Sequence, residues 1–118
     1  MIILNNQYGT VTLTDDVFRN IAGDAATRCF GVKGMAGRAA KDGIVMLLRR
    51  ETMSKGVSVI YHEEDGSITI QLHIVVDHGV NIRALSKSIT KEVSYKVTLA
   101  TGVPVRSVDI FVDSMLCD

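Results

Sequence analysis

The chain has 118 residues, 47% hydrophobic and 22% charged, with 13 Lys+Arg offset by 13 Asp+Glu. Those proportions are globular, and the length suits one domain over residues 1–118, with core enough to fold without a metal or disulfide framework. Zero net charge argues against a protein held to nucleic acid by counterion release, and six aromatics (three Tyr, three Phe) without Trp argue against a base-stacking platform.

Met1-Ile2-Ile3-Leu4, interrupted by Asn5 and Asn6, is too short for a signal-peptide core. No window approaches the roughly 18 apolar residues that a membrane span needs. Two cysteines, Cys29 and Cys117, do not make a disulfide framework. The expected location is the reduced cytoplasm, with any membrane contact peripheral.

Taken in chain order, Thr10-Val11-Thr12-Leu13 alternates as a half-buried strand. Thr14 then sits at an N-cap, and Val17, Phe18, Ile21, Ala22, Ala25 and Ala26 recur at helical spacing, predicting a helix over 15–28. Gly31 to Gly37 reads as a short extended piece and a turn, with Cys29, Phe30 and Met35 as buried anchors. A second helix is predicted from Asp42 to Glu51, carrying Ile44, Leu47 and Leu48 inward.

Val57, Val59 and Tyr61 alternate up to an acidic turn, His62-Glu63-Glu64-Asp65-Gly66, whose Asp-Gly pair is a hairpin signal. Ile68, Ile70, Leu72, Ile74 and Val76 then share one face of a long strand, with Thr69, Gln71 and His73 on the other. From Asn81 to Ala100 the period is helical, with Ile82, Leu85, Ile89, Val93 and Val97 as the apolar stripe and Gly102 as the stop. Val108, Ile110 and Val112 form a last strand. The order β-α-(β)-α-β-β-α-β implies an α+β two-layer domain, helices on one face of an antiparallel or mixed sheet.

Landmarks over most of the chain together resemble the alkaline shock protein family, small bacterial proteins associated with envelope stress. They are Gly9 to Leu13, Ala25-Ala26, Gly31-Val32-Lys33-Gly34-Met35, Lys41-Asp42-Gly43 with Leu48 and Arg49, Gly56-Val57, Gly79-Val80-Asn81-Ile82, and Thr101-Gly102-Val103 leading into Val105, Val108 and Ile110. The terminal extensions of larger members are missing, so the chain looks like the short branch. The resemblance implies a non-catalytic cytoplasmic protein that self-associates and is held near the membrane by an anchored partner. It carries over no catalytic residue and no cofactor.

The residues themselves propose little chemistry. His62, His73 and His78 show neither the spacing nor the companions of a zinc site, Glu63-Glu64-Asp65 reads as a solvated tip, and no Ser or Cys sits in a nucleophile motif. The expectation is no enzyme, no cofactor and no metal. Gly31-Val32-Lys33-Gly34 formally matches the G-x-x-G loop of KH domains, with Lys33, Arg38 and Lys41 nearby. An RNA-binding module using that turn and the basic helix is therefore one alternative function, and an accessory subunit of a metabolic enzyme is another.

Arg83, Lys87 and Lys91 fall within an arc of about 80° of the long helix, away from its apolar stripe. They are the candidate partner-binding residues. The partner is read as acidic, either the Glu63-Glu64-Asp65 tip of another copy or a membrane-anchored protein. Lipid headgroups fit less well, because no exposed apolar anchor adjoins the three charges. The apolar share, Met1 to Leu4 and Ser114-Met115-Leu116 also suggest a homo-oligomer, those two segments acting as added edge strands.

Overall fold

The computed structural model describes residues 2–38, 45–48 and 50–116. Its centre is the long strand β6 (Ser67–Asp77). Ile68, Ile70, Leu72, Ile74 and Val76, at every second position, are fully buried on one face. Along one edge β6 pairs in parallel with β7 (Val105–Leu116). Along the other it pairs antiparallel with β5 (Val57–His62) over its first half and with β3 (Val32–Arg38) near its end. β4 (Val45–Leu47) extends the sheet beyond β3.

Two helices cover the apolar face. Helix α1 (Asp15–Thr27) buries Phe18, Ala22, Ala25 and Ala26, and α2 (Ile82–Thr101) buries Leu85, Ile89, Val93 and Val97. These side chains form one core with the inner face of β6. Helix α2 also supplies the crossover that parallel pairing of β6 and β7 demands. Asn81 caps α2 by accepting from the Ala84 N–H at 3.1 Å, and Gly102 ends it in the left-handed region at φ 75°. Thr14 is the N-cap of α1 without a side-chain hydrogen bond, so Asp15 and Asp16 in the first turn supply the favourable charge.

The α+β two-layer class is thus realised, with a mixed sheet. Three local expectations are corrected. The helix expected over Asp42 to Glu51 is not formed where it is described: Val45–Leu47 is strand and Arg50–Gly56 a 3-10 helix. Residues 42–44 and 49, with Lys41 and Cys117, lie outside the described residues. Periodicity lost there to tertiary pairing, because β3 runs on beyond its ladder with β6, which ends at Met35↔Ile74, and offers Ala36 to Arg38 as an edge for β4.

Phe30 is 98% exposed rather than a buried anchor, whereas Met35 is fully buried as expected. Gly9 to Leu13 is not a strand of the main sheet. It is β2 (Gly9–Leu13), paired only with β1 (Ile2–Asn6) in a separate two-stranded ribbon. Ser114 to Leu116 instead prolongs β7.

Candidate interaction surface

Arg83, Lys87 and Lys91 project from the outer side of α2, all exposed. Steps of four residues advance about 6 Å and turn about 40°, so the three form a slow spiral opposite the core stripe. The structure extends this line with two residues that the sequence reading left unassigned. Tyr95 and Leu99, at the next two steps, are 60% and 68% exposed. Helix α2 therefore presents a line about 24 Å long, cationic in its first half and apolar in its second. The i+4 continuation from Lys91 was the available signal. Ile82, placed in the core stripe by periodicity, is instead 41% exposed at the helix start.

Among the described residues no carboxylate reaches ion-pair distance of Arg83, Lys87 or Lys91, whereas Lys96 meets Glu92 at 4.0 Å. Nor do they serve the helix. Arg83 stands in the first turn, which holds no acid, and a cation there opposes the macrodipole. In α1 the first turn carries two aspartates.

Beside the line, where the end of α1 meets the start of α2, lies an open depression of about 710 Å³. Ala84 and Ser88, each one position on from a stripe cation, line it together with Phe30 and Val80. Cys29 lines the same depression. Burial pushes its thiol above the ordinary value and the Glu92 carboxylate adds to the rise, so it stays protonated at neutral pH and is a poor nucleophile.

The acidic tip differs from expectation. Arg106 Nη2 donates to Glu64 Oε1 and to Asp65 Oδ2, both at 2.9 Å. Asp65 also accepts from the Ser67 hydroxyl at 2.6 Å and from the Ser67 N–H at 3.0 Å. Those Ser67 and Arg106 contacts hold the Asp65 carboxyl well below the usual carboxylate range. Arg106 reaches them because it is the extra residue where the β6–β7 register shifts between Val105 and Ser107. Two of the three tip acids are thus engaged in cis.

The histidines are placed structurally. His62 Nε2 lies 2.7 Å from Thr69 Oγ1, while His73 stacks on Phe111 and meets Asp113 Oδ2 at 2.9 Å. Among the described residues no group of three or more His, Cys, Asp or Glu is placed to hold a metal ion. The KH geometry is also missing. Gly31 is followed by strand β3, not by a second helix, and sits at φ +99° against α2, where a Cβ would come within 3.1 Å of Val80. Among the described residues no helix is long and apolar enough to cross a membrane.

In sequence the chain is 35% identical to the uncharacterized protein YloU of Bacillus subtilis, over 97% of this chain and 94% of that one. It is 34% identical to the uncharacterized protein Spy1614 of Streptococcus pyogenes, over 95% and 92%. In structure it matches a solved chain of the MamM CTD at a TM-score of 0.50 with 16% identity, covering 86% of this chain and 99% of that one, a likeness of fold alone. The family model for the alkaline shock protein 23 family, described as having a cell envelope-related function, matches residues 3–117. With relatives of that identity spanning nearly its whole length, this chain belongs to the alkaline shock protein family, whose function is related to the cell envelope.

Proposed function

We infer that this is a non-catalytic, self-associating cytoplasmic protein of the envelope stress type, which works through protein–protein contacts beside the membrane. The outer line of α2 is its partner surface, and the partner is an acidic, membrane-anchored protein. The observation that carries this reading is a row of three cations without an ion-pair partner among the described residues, the first of them set against the helix dipole, running on into exposed Tyr95 and Leu99. Cations of this kind steer an acidic partner and fix its register, while the apolar end supplies buried area. The family's envelope-related description agrees with a site of action at the cell boundary. The acidic tip of a second copy is the weaker occupant, because Arg106 already holds Glu64 and Asp65.

The triple change Arg83→Glu, Lys87→Glu, Lys91→Glu tests the reading. It is expected to leave the circular dichroism spectrum unchanged and to abolish recovery of a membrane-anchored partner from the membrane fraction. Recovery of the same partner by the folded variant overturns it.

Tyr95 and Leu99 favour a second reading, direct contact with anionic lipid, since they provide the apolar anchor that the three charges otherwise lack. Vesicles with and without phosphatidylglycerol separate the two. Binding to protein-free anionic vesicles, lost in Tyr95→Ala with Leu99→Ala, supports the lipid reading, and no binding rejects it.

A further inference from the structure

The ribbon of β1 and β2 stands apart from the body. The two strands pair from Ile2↔Leu13 to Asn6↔Gly9, and neither has another strand beside it among the described residues. At the base, Ile2 and Leu13 join the core. Beyond the base the ribbon packs along no other strand or helix to any extent among the described residues. It rises about 14 Å, at 3.4 Å per residue, to a tip where Tyr8 is 90% exposed. The molecule is accordingly elongated, 54 × 33 × 24 Å, with a radius of gyration of 15.0 Å. A globule of this length is expected at about 13.5 Å.

Composition sharpens the point. In a chain that is 22% charged, residues 1–13 contain no Asp, Glu, Lys, Arg or His, and no Pro. The β1–β2 register runs without a bulge. Charges, prolines and bulges are the devices by which natural proteins protect an open strand edge, and this ribbon has none of them. Ile3, Leu4 and Val11 are exposed along it. An isolated two-stranded hairpin is marginal in water, and three or more strands are needed for independent stability. The ribbon therefore requires more strands, and its uncharged edges carry nothing that selects an acidic or basic partner.

We propose that the ribbons of two copies of this chain join edge to edge, β1 against β1 in antiparallel sense, into a four-stranded sheet across a twofold axis. An isologous antiparallel pair matches every donor with an acceptor, whatever the side chains. Ile3 and Leu4 both lie on the joining strand, whereas the positions opposite them on β2 are Thr12 and Val11, so β2 offers one exposed apolar residue where β1 offers two. This rests on the self-association reading above and names the surface that performs it.

Light scattering on the full chain and on a variant carrying Ile3→Lys and Val11→Lys is the test. These positions face opposite sides of the ribbon, so each face gains one charge and no like pair is created across the strands. The wild type is expected at twice the 12.8 kDa chain mass and the variant at 12.8 kDa, with an unchanged melting temperature of the body. A wild type of 12.8 kDa at 100 µM overturns both this inference and the self-association reading. A variant that keeps the wild-type oligomer overturns the ribbon alone. As a second readout, Leu4→Cys with Cys117→Ser, at the midpoint of β1 where antiparallel pairing over the whole strand sets a residue against its own copy, is expected to form a covalent dimer on mild oxidation, while Ser88→Cys with Cys117→Ser does not. Failure of the Leu4→Cys pair to cross-link in the oligomer overturns the pairing of β1 with β1.

Discussion

Arg106 on β7 clamps Asp65 at the tip of the β5–β6 hairpin, Nη2 to Oδ2 at 2.9 Å across 41 residues of sequence. Arg106 engages two of the three tip acids within the molecule, while Arg83, Lys87 and Lys91 on α2 meet no carboxylate among the described residues. It also ties the start of β7 to the turn beside β6, the pair of strands with the most extensive pairing in the sheet.

The clamp makes a titration prediction. Ser67 is the larger cause of the lowered Asp65 value and Arg106 the next. Ser67→Ala, which removes the first of these hydrogen bonds, and Arg106→Ala, which removes the second together with the nearby positive charge, should therefore each raise the Asp65 carboxyl toward its ordinary value of about 3.9. Because the folded value is lowered, any stability the group contributes is present above the unfolded value and is lost as pH falls through the folded one. NMR titration of the Asp65 side-chain carboxyl checks both effects. An unchanged value in either variant contradicts the prediction.

A second prediction concerns Arg83 alone. Arg83→Glu puts an acid in the first turn of α2, where the macrodipole favours it by about 0.3–1 kcal/mol at low salt. The variant should melt slightly above the wild type in thermal circular dichroism, with the difference shrinking in 1 M salt. A lower melting temperature would show that Arg83 supports the fold.

Glycine substitutions give a third. Gly31 and Gly79 both sit at positive φ, at +99° and +85°, but only at Gly31 does a Cβ meet a neighbour, Val80 Cγ1 at 3.1 Å. Gly79→Ala should cost about 1–2 kcal/mol for the left-handed backbone. Gly31→Ala should cost about 1 kcal/mol more, since strained backbone and a crowded contact add. Urea unfolding of the two variants compares them directly, and equal losses would mean that Val80 yields without cost.

The long elements were legible because each has a strong, unambiguous period. Alternation in 68–76 and the four-residue recurrence Leu85, Ile89, Val93, Val97 are set by which face meets the core, and burial is local enough to leave that mark. Val45 to Leu47 was not legible. Three residues carry too little period to separate strand from helix, and their fate rested on a free edge of β3 that is distant in sequence. Phe30 misled for a similar reason. An aromatic beside Cys29 reads as core, yet the turn at Gly31 aims it outward.

The candidate surface divides the same way. Sequence by itself determined the class of fold, the family and the positions of Arg83, Lys87 and Lys91 on one side of a helix, because helical spacing is a property of the local chain. Tertiary structure decided which charges remain free, since Glu64 and Asp65 are taken by Arg106 from another strand while Arg83, Lys87 and Lys91 meet no acid among the described residues. It also decided that Tyr95 and Leu99 face solvent and that residues 2–13 leave the body as a ribbon. Ion pairing and packing depend on distances between segments far apart in the chain, and those distances exist only once the sheet and its two helices are assembled.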